Sequence, residues 1–168
     1  MNTRNYSTPT KKYKLLISAI HAIYRLVNST FELKDLLIRL ARLVGQILET
    51  EYCQVLLLDS TKKYSLFRCT MVGRERYVVD KKVKISNRME KKVINKLSAI
   101  MQDNLLAIPL ICDDINGMII IKREKDATPI DRFDQEILMT MGEQAIIGIK
   151  NLQLYEEQQR IILGSIKS

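Results

Sequence analysis

The sequence predicts an α+β fold, because the spacing of its apolar residues changes twice along the chain. From residue 11 to about residue 49, apolar residues recur every three or four positions, which is typical of amphipathic helices. Between residues 53 and 123 the chain is instead rich in strand-forming residues separated by turn residues, and helical spacing returns after residue 131. A chain of 168 residues is long enough for one domain with its own core.

Two helices are predicted before the first strand. Residues 1–10 are polar and are expected to be a disordered lead-in, and residues 11–28 are expected to form the first helix. Ser29 followed by Glu32 has the spacing of a capping box, so the second helix is expected to begin there and to end near Glu49.

The middle of the chain predicts five strands and one short helix. The expected strands are residues 53–58, 64–71, 77–85, 104–112 and 118–123. Asn87 with Glu90 is expected to cap a helix that runs to about Leu97. Residues 113–117 separate the last two strands at the spacing of a hairpin.

The last predicted helix begins at Asp131 and carries an unusual pattern in its later part. Alternating intervals of four and three residues are the spacing of a coiled-coil seam, which predicts a parallel dimer. The positions of this predicted seam are Met141, Ala145, Gly148, Leu152, Tyr155, Gln159, Ile162 and Ile166. The alternative is one long helix in the core of a monomer. The chain reaches Ser168 without a clear C-cap or proline, so the natural protein is expected to continue.

The net charge of +8 is concentrated in one part of the chain. Residues 73–96, here called the basic block, carry nine basic residues against three acidic ones, which is six of the eight excess charges. Its basic residues are Arg74, Arg76, Lys81, Lys82, Lys84, Arg88, Lys91, Lys92 and Lys96. Two interpretations stay open: a surface that binds a nucleotide, nucleic acid or lipid, and a solvated basic face.

Few residues are available for catalysis or for holding a metal. Cys53, Cys69 and Cys112 form no CxxC pair and His21 is the single histidine, so neither a zinc site nor a disulfide framework is predicted. Free cysteines in strands are usually buried, which suits a reducing cytoplasm. The chain has neither a GxGxxG nor a Walker loop. We therefore expect no enzyme, and the sequence identifies no cofactor.

Several short segments resemble, in their order and spacing, those of GAF domains. They are Asn28-Ser29-Thr30 before Leu36-Leu37, the strand end Leu57-Leu58-Asp59, Ile108-Pro109-Leu110, Gly117 before Met118-Ile119-Ile120-Ile121, and Phe133-Asp134-Gln135-Glu136-Ile137-Leu138. The resemblance covers about residues 26–155. It implies a profilin-like central antiparallel sheet with the terminal helices on one face and a short roof helix on the other. It also implies a hairpin turn at Asp113 and Asp114, with Gly117 already in the next strand.

The resemblance implies a sensory or regulatory module of a bacterial signalling protein. A small-molecule pocket would lie under a roof formed by residues 83–97. Its candidate ligand-binding residues are Gln54, Phe67, Cys69, Tyr77 and Arg88. Some members of the fold are methionine sulfoxide reductases with clustered cysteines, so a thiol-based reductase is an alternative function.

The resemblance also implies how the chain is divided. Residues 11–155 would be the sensory domain with its leader helix, and residues 156–168 are similar to linkers that lead from GAF domains into HD-GYP phosphodiesterase domains. A histidine kinase or a diguanylate cyclase is the alternative output domain. The expected protein is a cytoplasmic homodimer that is covalently joined to this output domain and has no membrane span in this segment.

Overall fold

A computed structural model describes residues 9–29, 32–73 and 75–167, which form one sheet with four helices. The helices are α1 (Pro9–Ser29), α2 (Leu33–Leu48), α3 (Arg88–Lys96) and α4 (Arg132–Lys167). The strands are β1 (Tyr52–Leu58), β2 (Tyr64–Val72), β3 (Arg76–Lys84), β4 (Ile100–Gln102), β5 (Leu105–Cys112) and β6 (Ile115–Lys122). The α+β class predicted from the sequence is confirmed.

The six strands form a single antiparallel sheet in the order β3-β2-β1-β6-β5-β4. β1 pairs with β2 on one side and with β6 on the other. Successive side chains of a strand point to opposite faces, so Val55 and Leu57 contribute to one core while Leu56 and Leu58 contribute to another. β1 is buried on both faces, which explains its almost continuous apolar sequence.

The terminal helices cover one face of the sheet, here called the helix face. α2 and α4 pack on the strands, and α1 packs against both helices through residues such as Ala19 and Ile23. The opposite face, here called the roof face, is covered by α3, whose Val93 packs against Leu56 and Met118. This arrangement confirms the predicted GAF-like architecture.

The start of α4 is held by a capping box and a buried ion pair. Asp131 Oδ1 accepts the Asp134 N–H at 2.8 Å, and Asp134 Oδ2 accepts the Asp131 N–H at 3.1 Å. The Asp134 carboxylate also binds both terminal nitrogens of Arg123, at 2.8 and 3.1 Å, with at most 5% of either side chain exposed. Arg123 donates in addition to Leu48 O. One arginine therefore joins the end of β6, the end of α2 and the start of α4.

The predicted elements are all present, and the hairpin turn lies at Asp113 and Asp114 as expected. The Asn87 cap of α3 is also confirmed, since its side chain accepts the N–H groups of Met89 and Glu90. The sequence pattern does not predict β4, because three residues are too few to show a period.

Two predictions at the N-terminal end are wrong. Residues 9 and 10 are helical rather than disordered, while residues 1–8 lie outside the described part of the chain. Ser29 does not cap α2: its hydroxyl donates to Leu26 O at 3.3 Å at the end of α1, and α2 begins after Glu32. Instead, Glu156 of α4 accepts the Leu33 N–H at 3.4 Å, so a distant helix satisfies a free donor of α2.

Candidate functional site

The roof face carries a polar cluster where α3 lies over β2. Arg68 of β2 binds the Glu90 carboxylate of α3 through both of its terminal nitrogens, at 2.5 and 3.1 Å. Glu90 is buried and the Arg68 side chain is 13% exposed. Beside this pair, Gln54 donates to Thr70 Oγ1 at 2.9 Å and accepts from Arg68 at 3.4 Å. Because bidentate, charge-assisted hydrogen bonds are strong, the pair fastens α3 to the sheet.

Tyr52 stands beside this cluster on the roof face. The Lys122 ammonium lies 4.6 Å from the centroid of its ring. Burial raises the pKa of the Tyr52 phenol, while the nearby Arg68 lowers it and Glu90 raises it. The phenol is therefore a neutral hydrogen-bond donor at physiological pH.

The space between α3 and the sheet is filled by side chains. Leu56, Met118 and Ile120 of the sheet form a small core with Val93. The cavity that remains there, lined by residues such as Leu58 and Val93, measures about 10 Å³. That volume holds about one water molecule and is too small for a metabolite.

The five predicted ligand-binding residues do not come together around one cavity. Phe67 and Cys69 are paired with Leu57 and Val55 of β1, so they lie on the helix face. Tyr77 lies opposite Met71 on the helix face. Gln54 lies on the roof face, and Arg88 is exposed at the start of α3. Strand alternation explains the division, since residues with the same parity on paired strands share a face. Ligand binding by these residues stays a prediction.

The cysteines are placed as structural residues. Cys53 and Cys69 lie in the helix-face core, and Cys112 is half-buried at the end of β5. Burial raises the pKa of Cys53, with a smaller effect from Cys69 in the same direction. Burial also raises the pKa of Cys69, to about 11, although the nearby Arg42 opposes this. Cys53 and Cys69 are therefore thiols rather than nucleophilic thiolates at neutral pH.

α4 packs within the domain over its first half. Met141, Ala145 and Leu152 are buried in the helix-face core. Gly148 lies directly against Val27 of α1. These four positions of the predicted seam thus contact their own chain, and for this half the alternative of a core helix is correct.

α4 protrudes from the domain over its last turns. Tyr155 is 51% exposed and Ile162 is 52% exposed, and Gln159 between them is also exposed. Ile166 belongs to the helix, but its side chain lies outside the described residues. Only this second half of the predicted seam is available to another chain.

The basic block is divided between the two faces of the sheet. Lys81 of β3 lies over the Phe67 ring at 5.5 Å, on the helix face. Lys91 and Lys92 are exposed on α3, on the roof side, while Arg74 lies outside the described residues. The hypothesis of a nucleic-acid surface stays a prediction.

Within residues 9–29, 32–73 and 75–167, no helix is long and apolar enough to span a membrane, and no group of side chains is arranged to hold a metal ion. No protein-family model and no curated protein matches the chain. Solved structures do match its fold. The GAF domain of a phosphoenolpyruvate-protein phosphotransferase from Acinetobacter aligns with a TM-score of 0.66 at 15% identity, over 84% of this chain and 97% of that chain.

This chain has the GAF-domain fold. A GAF domain/HD domain protein from Geobacter sulfurreducens aligns with a TM-score of 0.55 at 14% identity, over 74% of this chain and 96% of that chain. The free methionine-R-sulfoxide reductase from Neisseria meningitidis, solved with its substrate, aligns with a TM-score of 0.67 at 10% identity, over 92% of this chain and 99% of that chain.

Within this GAF fold, the Arg68–Glu90 pair is a feature that the sequence pattern did not predict. A usable signal was present, because Arg68 stands between Phe67 and Cys69 in a strand, where a charged residue on a covered face needs a partner. The partner itself was not evident, since Glu90 lies 22 residues away in a helix that looked solvent-exposed.

Proposed function

We propose that this GAF domain is a sensory or regulatory module of a signalling protein, which dimerises through the end of α4 and passes conformational changes along that helix to an output domain. Its structural neighbours support the proposal, since they include the GAF domain of a phosphotransferase and a GAF domain/HD domain protein. The identity of the output domain as an HD-GYP phosphodiesterase, a histidine kinase or a diguanylate cyclase is a prediction.

The observation that carries the proposal is the exposed apolar end of α4. Its large apolar residues that are about half exposed or more are Leu154, Tyr155, Ile161, Ile162 and Leu163. Tyr155 and Ile162 are seven residues apart and lie on one face of the helix. Because burying a side chain of this kind contributes about 1.5–3 kcal/mol, a two-fold contact along this stripe supplies a favourable free energy of association.

The same helix connects the stripe to the rest of the domain. α4 is continuous from Arg132 to Lys167, so its exposed end moves with its packed half. The packed half contacts α1 at Gly148 and the β5–β6 turn through Lys150, which binds the Asp113 carboxylate. A change in the packing of α1 or of this turn would therefore tilt the protruding end, and two packings within a few kcal/mol are enough for a switch.

Analytical ultracentrifugation tests the proposal by comparing the oligomeric state of the unmodified chain with that of two variants, Ile162→Glu and Arg160→Glu. We expect the unmodified chain to sediment as a dimer and Ile162→Glu to sediment as a monomer, because a carboxylate would be buried in the stripe. Arg160→Glu is the matched control, since it places a glutamate on the opposite side of the same exposed segment, and it should remain dimeric. An unmodified chain that stays monomeric at high concentration, or equal dimerisation of all three proteins, would contradict the proposal.

A further inference from the structure

A large cavity opens on the helix face, on the side of the sheet opposite α3. It lies where α2 ends and the chain turns through Glu49 into β1, and its volume is about 800 Å³. Cys53 of β1 and Met71 of β2 are the buried apolar residues among those that line it. Volumes of 300–1,000 Å³ are usual for small-molecule sites, so the cavity has the size of a binding site.

Two polar groups in this cavity lack partners among the residues that the structure describes. The half-buried Arg42 has no hydrogen bond or ion pair with any described residue, although its guanidinium is near enough to Cys69 to oppose the rise in that thiol's pKa. The buried Thr50 Oγ1 has no hydrogen-bond partner within the described part of the chain. A polar group removed from water without a partner is costly, and a bound ligand would supply one.

A second groove between α1 and α2 adjoins the cavity and shares Arg42 and Gln46 with it. This groove measures about 270 Å³ and is also lined by Arg25 of α1 and Arg39 of α2. No carboxylate is among the described residues that line it. Three guanidinium groups without a lining carboxylate favour a carboxylate, sulfonate or phosphate group.

The other end of the cavity has a different character. Glu49 and Glu51 line it about two helical turns beyond Arg42, at the negative end of the α2 dipole. The negative charge at this end repels the acidic group of a ligand, which is therefore directed toward the arginines at the other end. The apolar floor of the cavity, formed by Cys53 and Met71, suits a hydrocarbon or aromatic body.

We propose that this cavity binds a small organic anion, whose acidic group is held by Arg42 with Arg25 and Arg39 and whose apolar body rests against Cys53 and Met71. The site is independent of the proposed relay through α4, since it needs only α1, α2 and the sheet. It is also separate from the space beneath α3, because it lies on the other face of the sheet.

The test uses 8-anilinonaphthalene-1-sulfonate, a fluorescent aromatic sulfonate that combines an acidic group with an apolar body. We expect saturable binding at one site per chain, and Arg42→Gln should weaken it roughly ten- to a hundredfold, as expected for loss of a charge-assisted hydrogen bond. Arg42→Lys should retain part of the affinity. Arg39→Gln, which changes an exposed residue, should weaken binding severalfold without affecting the fold.

Two controls separate this site from other apolar surfaces. Lys34→Gln removes a positive charge from α2 outside the two cavities, and Ile162→Glu alters the exposed end of α4; neither should change the affinity. N-phenyl-1-naphthylamine, which has the apolar body without the sulfonate, should bind at least about tenfold more weakly. The proposal is overturned if binding of the sulfonate is not saturable, if Arg42→Gln and Arg39→Gln leave its affinity unchanged, or if the neutral probe binds as tightly.

Discussion

Gly148→Ala should destabilise this domain, although Gly→Ala in a helix normally stabilises by about 0.5–1 kcal/mol. A Cβ at position 148 would lie 2.7 Å from Val27 Cγ2 and 3.1 Å from Val27 Cβ, and would also meet Cγ1. Favourable carbon contacts are at roughly 3.5–4.0 Å, so α1 and α4 would have to separate by about 1 Å. Val27 cannot relieve the contact by rotation, because a β-branched side chain in a helix has one strongly preferred rotamer.

The expected magnitude follows from these opposing effects. Overpacking of this kind costs about 1–3 kcal/mol, which exceeds the gain in helix propensity. The net loss of about 1–2 kcal/mol corresponds to a Tm lower by roughly 2–8 °C for a chain of this size. The measurement is thermal and urea unfolding followed by circular dichroism.

Gly164→Ala is the matched control in the same helix. No described atom lies within 4 Å of a Cβ at this position, so this change should be neutral or raise the Tm. Val27→Ala combined with Gly148→Ala should recover stability relative to the sum of the two single changes, with a coupling of about 1 kcal/mol or more. If Gly148→Ala raises the Tm as Gly164→Ala does, then α1 and α4 do not cross at this distance and the reasoning is refuted.

Three further predictions concern the buried Arg123–Asp134 ion pair and the Cys69 thiol. Asp134→Ala should lower the free energy of unfolding by about 3–5 kcal/mol in urea titrations, because Arg123 would stay buried without its carboxylate partner. Asp131→Ala is the control: it loses only a helix cap and should lower the free energy of unfolding by about 1 kcal/mol. Equal losses for the two variants would contradict the role of the ion pair. In native protein at about pH 8, Cys69 should react with a disulfide reagent at least about a hundredfold more slowly than a free thiol, since its pKa is about 11 rather than 9.0. The stability that the Cys69 thiol contributes should be present below about pH 9 and lost as the pH rises toward 11, because the unfolded chain releases this proton at a lower pH than the folded chain does. A free energy of unfolding that is constant between about pH 9 and pH 11 would contradict this prediction.

Much of the fold could be predicted because it depends on local patterns. The strands β1, β2, β5 and β6 follow from runs of strand-forming residues, and α3 from the Asn87 cap. Ser29 shows where such patterns mislead, since a short polar side chain can bond to the turn before it as well as cap the turn after it. The three residues of β4 form a strand only because β5 is beside them.

The candidate sites depended far more on tertiary structure. Gln54, Phe67 and Cys69 are close in the sheet, yet one residue of offset places Gln54 on the opposite face from the other two. Arg68 and Glu90, like Arg42 and Cys53, are brought together by the packing of helices on the sheet, which no local spacing encodes.

By itself, the sequence determined that the chain is α+β, that helices precede and follow its strands, and that one face of the last helix is apolar over its later turns, because periodicity reports which side of an element avoids water. Only the tertiary structure decided what covers each apolar face. Met141, Ala145 and Leu152 share their spacing with Tyr155 and Ile162, but the first three pack in the core and the last two meet solvent. The reason is physical: a hydrophobic stripe requires burial, and burial is equally favourable against the same chain or against another.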